Sequence, residues 1–377
     1  MIKFWSYNRE FKKYKNKIFS KIKKSLDSGQ IFFGKELLEF EKKFIKINKS
    51  KYGVAVGSGT DALFIALKSL GIKNGDEVIT VANTAIPTIS AIRSVGAIPK
   101  LVDIGEDYLI DTSKIEREIT KKTKAIIPVH LYGQTCNMNE IIRISKKYKL
   151  KIIEDCAQSQ GAKYKKRFCG TMGDLGCFSF YPTKILGAYG DGGFVLTNDY
   201  NLYKKIKRIR FYGIETIDRK NKYLNKNYSN EYGINSRLDE IQAGILNFKL
   251  SMTEKFIKKR RYLANLYLKE LKFTNIVLPK LNKDNYHVYH LFTVYHLQRE
   301  KIIRDLKKQL IETRVIYPYP IHKMTPYKKF LGKNKRLNNS EKKSKGIFCL
   351  PIYPELKKEE VLKICSSLKK TLKKLSL

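Results

Sequence analysis

Cysteine is scarce and scattered. The six cysteines, Cys136, Cys156, Cys169, Cys177, Cys349 and Cys365, include no Cys-x-x-Cys pair, which points to free thiols and away from a disulfide framework or a zinc site. The five histidines are too dispersed to suggest a metal cluster, so no metal is expected. Long apolar runs are missing as well: none approaches the ~20 residues of a membrane-spanning helix. The opening Met1-Ile2-Lys3-Phe4-Trp5-Ser6 lacks the apolar centre of a signal peptide. The expectation is a cytoplasmic protein with no membrane partner. Acidic residues are few, 35 against 76 lysines and arginines, for a net charge of +41. Such a field attracts polyanions. However, the lysines are spread along the whole chain and no nucleic-acid recognition fold accompanies them, so no nucleic acid is expected. A milder use of the field is to favour an anionic small substrate.

What is present is enough for a sizeable core: 377 residues, 42% of them hydrophobic, which allows one large and one smaller domain. Residues 1–50 read as helical. Phe11 to Leu26 carries spaced apolar residues and Asp27-Ser28-Gly29 ends the segment; a second helix begins at Gly34, with Leu37, Leu38, Phe40, Phe44 and Ile45 on its apolar face. From Tyr52 short apolar strands alternate with helical stretches. The strands are Gly53–Val56, Glu77–Val81, Ile98–Asp103, Ala125–His130, Leu150–Glu154, Gly176–Phe180 and Gly193–Thr197. Near-continuous apolar strands separated by helices imply a mainly parallel sheet covered on both faces. Tyr212 to Tyr232 reads as a long exposed loop, followed by a helical run from Ser236 to Leu271. Beyond it come strands near His287–His296 and Thr313–Tyr317 and a helix from Lys357 to Leu375.

Ligands in such sheets bind beyond the C-terminal strand ends, and four motifs fall there. Gly57-Ser58-Gly59-Thr60-Asp61 follows the first strand and opens a helix. It is either an ordinary capping turn or a phosphate cradle, in which glycines let backbone amides approach an anion. Asp155, in Glu154-Asp155-Cys156-Ala157-Gln158, ends a buried strand. It either caps the next helix or meets a protonated ring nitrogen, as in pyridoxal phosphate enzymes. In the run from Ser179 to Gly193, Lys184 follows an apolar strand and is surrounded by glycines. It is either a structural turn lysine or an amine whose basicity is lowered by desolvation, as a Schiff-base nucleophile requires. The fourth motif, Asn235-Ser236-Arg237-Leu238-Asp239-Glu240, reads most simply as a helix start. Together a phosphate cradle, an acid for a ring nitrogen and an amine, in that order at successive strand ends, point to pyridoxal 5′-phosphate (PLP).

These motifs resemble the DegT/DnrJ/StrS family of nucleotide-sugar aminotransferases. The matching text includes Gly57–Leu63, Pro128–Gly133, Glu154–Gln158, Ser179–Gly193, Asn235–Glu240 and Tyr317-Pro318-Tyr319-Pro320-Ile321-His322. The resemblance implies an α/β fold of the aspartate-aminotransferase type (PLP fold type I). Residues 1–250 would form a large PLP-binding domain with a mainly parallel sheet, and residues 251–377 a smaller α+β domain. It implies that Lys184 forms the Schiff base and shuttles protons, that Asp155 holds the pyridine nitrogen protonated, and that Gln158 contacts the ring hydroxyl. Gly59, Thr60, the amide of Asp61 and Ser179 would bind the phosphate. Asn235 would reach the cofactor of the neighbouring subunit in a homodimer with shared active sites. Tyr181, Tyr317 and His322 would lie near the substrate. L-Glutamate would be the amino donor, with pyridoxamine 5′-phosphate (PMP) as the aminated cofactor, and a dTDP-linked keto-sugar the acceptor. The chain departs from many relatives in one place: the position that stacks on the ring is Ala85, within Asn83-Thr84-Ala85-Ile86-Pro87-Thr88. That wording resembles members that aminate C-3 of a dTDP-3-keto-6-deoxyhexose for surface glycans or antibiotics. Amination at C-4 of a dTDP- or UDP-4-keto sugar, or a non-catalytic PLP-binding regulator, are the alternatives.

Overall fold

The first two helices, α1 (Tyr7–Asp27) and α2 (Lys35–Asn48), precede a seven-stranded sheet in the computed structural model, which describes residues 1–215, 228–330 and 336–375. The sheet uses β1 (Tyr52–Val56), β2 (Glu77–Val81), β3 (Ile98–Val102), β4 (Thr123–Ile126) and β5 (Lys151–Asp155). A small pair, β6 (Lys163–Tyr164) and β7 (Arg167–Phe168), interrupts it before β8 (Leu175–Ser179) and β9 (Gly193–Thr197) complete it. The spatial order is β1-β9-β8-β5-β4-β2-β3, and only β9 runs against the rest. Helices α3 (Gly59–Ser69), α4 (Ile86–Ser94), α5 (Met138–Tyr148) and α6 (Tyr200–Ile209) lie between strands. Helices α7 (Glu240–Leu250) and α8 (Thr253–Leu271) then lead to β10 (Asn285–Tyr286), which joins β6 and β7, and to β11 (Phe292–Tyr295). Helices α9 (Arg299–Lys308) and α10 (Asn338–Gly346), strand β12 (Ile347–Leu350) paired antiparallel with β11, and α11 (Lys358–Leu375) finish the chain.

Alternation along each strand divides the core. Val54, Val56, Cys177 and Val195 pack with α3 and α4, while Ala55, Phe178, Phe194 and Leu196 pack with α2 and α7 on the other face. On that second face Phe44 meets Phe194 with ring centroids 4.6 Å apart, and meets Phe178 edge-on at 5.2 Å. Such pairs add about 0.5–1.5 kcal/mol each beyond area burial. A separate cluster gathers Leu263, Tyr267, Phe292, Phe348 and Leu368 with Ile2 from the start of the chain. One glycine is fixed by contact: a Cβ on Gly176 in β8 would lie 2.2 Å from the carbonyl oxygen of Gly170. That close approach brings the 170–173 loop against β5.

Several expectations need correction. Leu38 is 61% exposed, because one step along a helix turns a residue well away from the Leu37, Phe40 and Phe44 stripe. The long helical run begins at Glu240 rather than Ser236 and breaks at Ser251-Met252. Asp239, not Ser236, is its cap, accepting from the Gln242 amide at 2.8 Å. The Thr313–Tyr317 strand reduces to a single bridge from Arg314 to Cys349, and Tyr317 takes a φ of +59°, which an extended strand cannot hold. Within the expected 212–232 loop, residues 216–227 lie outside the described residues. No helix among the described residues is long and apolar enough to cross a membrane.

The N-terminus of α2 is capped from a distant helix. Gly34, its cap residue, has no side chain to offer. The buried Glu240 carboxylate accepts instead from the amides of Gly34 and Glu36 at 2.8 Å each and of Leu37 at 3.1 Å. Three charge-assisted bonds at a helix N-terminus leave costly orphan donors when removed. Glu240→Ala is expected to lower unfolding free energy by about 2–3 kcal/mol, read as a lower urea midpoint at unchanged slope. An unchanged midpoint would refute this cap.

Candidate active site

Beyond the C-terminal ends of β1, β5 and β8 three motifs converge. After β1, Ser58 caps α3 by accepting from the Asp61 amide at 3.0 Å. The Asp61 amide, expected on a ligand, is therefore engaged by the cap. The first-turn amides of Gly59 and Thr60 have no carbonyl within the helix to reach. A Cβ on Gly59 would sit 2.6 Å from the Cβ of Ser179, the last residue of β8, so only glycine lets the two strand ends close into a cradle. Ser179 Oγ accepts from the Tyr181 amide at 3.3 Å. Ser236 ties the fourth motif to this cradle: its Oγ accepts from the Gly57 amide at 2.8 Å and donates to Asp61 Oδ2 at 2.7 Å. Its neighbour Asn235 is exposed.

At the end of β5, Glu154 and Asp155 face different environments. Burial pushes the Glu154 carboxyl up, but its bonds to His130 Nε2 (2.9 Å) and to the amides of Gly170, Met172 and Gly173 (2.6–2.8 Å) outweigh that and hold it below the usual carboxylate range. Asp155 is equally enclosed but less served. Thr88 Oγ1 donates to its Oδ2 at 2.8 Å and the Ala157 amide to its Oδ1 at 3.1 Å, and burial still raises it above the usual range. Ligand atoms of His130, Glu154 and Cys156 lie within 4.8 Å of one another, closer than their dispersal in sequence suggests. The Glu154 carboxylate there is already filled by hydrogen bonds.

Lys184 sits in the turn after β8, its amide bonded to the Tyr181 carbonyl at 2.8 Å. Burial pushes the amine down to about 8, and the Asp155 carboxylate opposes that shift. It lines a cavity of about 780 Å³ together with Gln158, Tyr181 and Tyr317. Gln158 links two tyrosines: its Oε1 accepts from the Tyr132 amide at 2.9 Å and its Nε2 donates to the Tyr317 hydroxyl at 2.6 Å. His322 is not among the lining residues; its Nε2 lies 3.0 Å from Glu341 Oε1. Ala85 is the half-buried cap residue of α4. The sequence reading missed Thr88, His290, Arg314 and the whole N-terminal wall Lys3–Asn8 of the cavity. Thr88 stood in a segment already singled out. The others answer to no local pattern, because tertiary contacts alone bring them here.

The DegT/DnrJ/EryC1/StrS aminotransferase family matches residues 12–369. The chain belongs to this family. Among its relatives, the dTDP-3-amino-3,6-dideoxy-alpha-D-galactopyranose transaminase of Aneurinibacillus thermoaerophilus is 41% identical, covering 97% of this chain and 98% of that protein. The dTDP-3-amino-3,4,6-trideoxy-alpha-D-glucose transaminase of Micromonospora megalomicea is 40% identical, covering 93% and 94%. At 35% identity, covering 96% and 95%, stands the UDP-N-acetyl-3-dehydro-alpha-D-glucosamine 3-aminotransferase of Acidithiobacillus ferrooxidans. The crystal structure of NtdA from Bacillus subtilis, with bound cofactor PMP, superimposes with a TM-score of 0.88 at 32% identity, covering 98% of this chain and 83% of that one. The fold is thus that of PLP fold type I, and the chain is a sugar aminotransferase of the DegT family.

The lowered basicity of Lys184 is directly measurable. Reductive methylation mapped by peptide mass spectrometry should give a midpoint near 8 for Lys184, against about 10 for surface lysines. Asp155→Asn removes the negative charge that favours the ammonium, so the midpoint moves lower still. A Lys184 midpoint matching the surface lysines, or an upward move in the variant, would contradict this electrostatic account.

Proposed function

We propose that the chain transfers the amino group of L-glutamate to C-3 of a dTDP-linked 3-keto-6-deoxyhexose, using PLP. The observation that carries the chemistry is the placing of three groups beyond the ends of β1, β5 and β8 in one sheet: the α3 cradle, the incompletely satisfied Asp155, and Lys184 with its lowered basicity. They fit the cofactor. The Gly59–Thr60 amides with Ser179 suit a phosphate at a helix N-terminus. Asp155 has a raised affinity for a proton that an N–H on a ring nitrogen would satisfy. When bound, PLP supplies an electron sink for the carbon that gains or loses the amine.

The chain's own residues then divide the work. Asp155, oriented by Thr88 and Ala157, accepts the ring N–H and holds it in place. Gln158, fixed between Tyr132 and Tyr317, presents its amide at the cavity wall and orients the ring hydroxyl. Lys184 Nζ is neutral often enough near pH 8 to take a proton from the donor's α-carbon and to deliver one to the sugar carbon, which is the pKa match that general base and acid work requires. Glutamate leaves as 2-oxoglutarate and the keto-sugar leaves as an amino-sugar, in alternating half-reactions through one cavity.

Amination at C-3 of a dTDP sugar is supported by the two relatives named for dTDP-3-amino sugars. The Acidithiobacillus relative favours a second reading, C-3 amination on a UDP sugar. A homodimer with Asn235 reaching the partner's cofactor is supported by exposed Asn235 beside exposed Tyr228 (65%) and Tyr232 (88%), aromatic surface of the kind interfaces cover. Tyr181, 52% exposed at the cavity, is available to the sugar nucleotide.

The purified enzyme, glutamate and dTDP-4-keto-6-deoxyglucose should yield amino-sugar only when a 3,4-ketoisomerase is added. Product without the isomerase would make the enzyme a C-4 aminotransferase, and product from a UDP-3-keto sugar alone would reassign the nucleotide. Lys184→Ala is expected to abolish turnover; normal turnover in that variant would sink the role given to this lysine.

A further inference from the structure

One buried cation has two of its three carbonyl contacts on the wall of the active-site cavity. Arg260, in α8, has no exposed surface. One of its terminal nitrogens donates to three carbonyls, those of Tyr289 and His290 at 3.2 Å each and of Ile352 at 2.7 Å. The guanidinium carbon lies 5.2 Å from the ring centroid of Trp5, within cation–π range. His290, Ile352 and Trp5 all line the cavity. The other guanidinium nitrogens have no partner, and among the described residues Arg260 forms no ion pair. The Glu355 and Glu10 carboxylates favour its charge through space, but a buried cation with no direct carboxylate bond is costly, and an apolar residue of similar volume is often the more stable choice at such a position. A role in stability alone therefore gives a poor account of this arginine.

Its contacts suggest a different role. The N-terminal segment enters the cavity wall by a few long-range ties. The Ile2 amide donates to the Leu310 carbonyl at 2.8 Å, the Glu312 amide donates to the Ile2 carbonyl at 2.9 Å, and the Phe4 amide donates to Glu312 Oε2 at 3.2 Å. Between these ties and α1, Trp5 is the anchor, set against Arg260 and 5.8 Å from the Tyr353 ring. Lys3 to Asn8 then share the cavity with Lys184, Gln158 and Thr183. A cavity of about 780 Å³ falls in the range that encloses drug-sized ligands, well beyond an amino acid. Lys3 and Arg314 on the same wall suit phosphate oxygens.

We propose that Arg260 is a positioning residue that, by gripping Trp5 and the His290 and Ile352 backbone together, holds the N-terminal segment as the cavity wall that receives the nucleotide-bearing acceptor. The choice of ligand rests on the function proposed above; the grip itself does not. Trp5 is the only tryptophan in the chain, so intrinsic tryptophan emission reports on this wall alone.

The experiment compares the PLP-loaded wild type with Arg260→Met, Arg260→Lys and Trp5→Ala. Tryptophan emission is read in the variants that keep Trp5, and dTDP and UDP affinity by equilibrium dialysis in all of them. In Arg260→Met the emission should shift to longer wavelength and nucleotide binding should weaken about tenfold, with Arg260→Lys recovering part of both. Trp5→Ala, which changes a half-buried residue at the edge of its core, should weaken nucleotide binding by a similar factor. The double variant should lose little more than either single one, since coupled residues are not additive. Unchanged emission in a folded Arg260→Met would overturn the proposal, as would wild-type nucleotide affinity in Trp5→Ala. Failure of the wild type to bind either nucleotide would overturn the acceptor assignment instead, while the emission shift would still decide whether Arg260 holds the wall.

Discussion

A carboxylate taken out of water must be compensated by donors, and two consecutive carboxylates in β5 are compensated unequally. Glu154 receives an imidazole and three amides; Asp155 receives one hydroxyl and one amide. Glu154 is therefore a fixed anion that clamps the 170–173 loop onto the sheet, and the close approach of Gly176 to Gly170 makes that clamp possible. Asp155 is left with unmet demand at the mouth of the strand. Alternation along a strand puts neighbours on opposite faces, so one residue can serve structure while the next stays available for chemistry. The lowered basicity of Lys184 follows from the same enclosure: burial disfavours the charge on both groups, and a ligand that brings its own polar groups relieves both.

Much of this was legible in the residues. Strands such as Glu77-Val78-Ile79-Thr80-Val81 are short apolar runs rich in β-branched residues, a local signal, and each expected strand of the main sheet is present within a few residues. The largest slip is β4, read as Ala125–His130 and observed as Thr123–Ile126, just short of Pro128, which has no amide to give a ladder. The ligand-facing motifs were legible because glycine, lysine and aspartate at strand ends are chemically unusual. The second half of the chain was harder. Helices α9 and α10 and strand β12 escaped notice, and Arg260 looked like one more cation in a lysine-rich helix. Nothing in its neighbours along the chain says that it is the one turned inward.

The charge of the chain takes on meaning at the cavity. Most of the 76 basic side chains are solvated and act only as a diffuse field, screened within about 10 Å at 0.1 M salt. Lys3, Arg314 and Lys184 differ because they share one concave wall. Glu312 on that wall pairs with Arg314 at 2.7 Å, yet cations outnumber it, and a cleft with a surplus of one sign focuses that field on an incoming anion, so the excess of lysine and the shape of the site act on the same ligand at different distances.

The N-terminal ties also bear on the order in which the protein becomes competent. Ile2 pairs with residues 310–312, a separation of most of the chain. During synthesis Ile2 is made before its binding partner, which does not exist until more than three hundred residues later. The main sheet can assemble without it, since β9 ends at Thr197. The cavity cannot be finished until the carboxyl-terminal third has folded and the first residues have come to rest against it. This segment is thus made well before its partners and comes to rest only after them, and a chain cut short of residue 310 would have its sheet before it had a complete pocket.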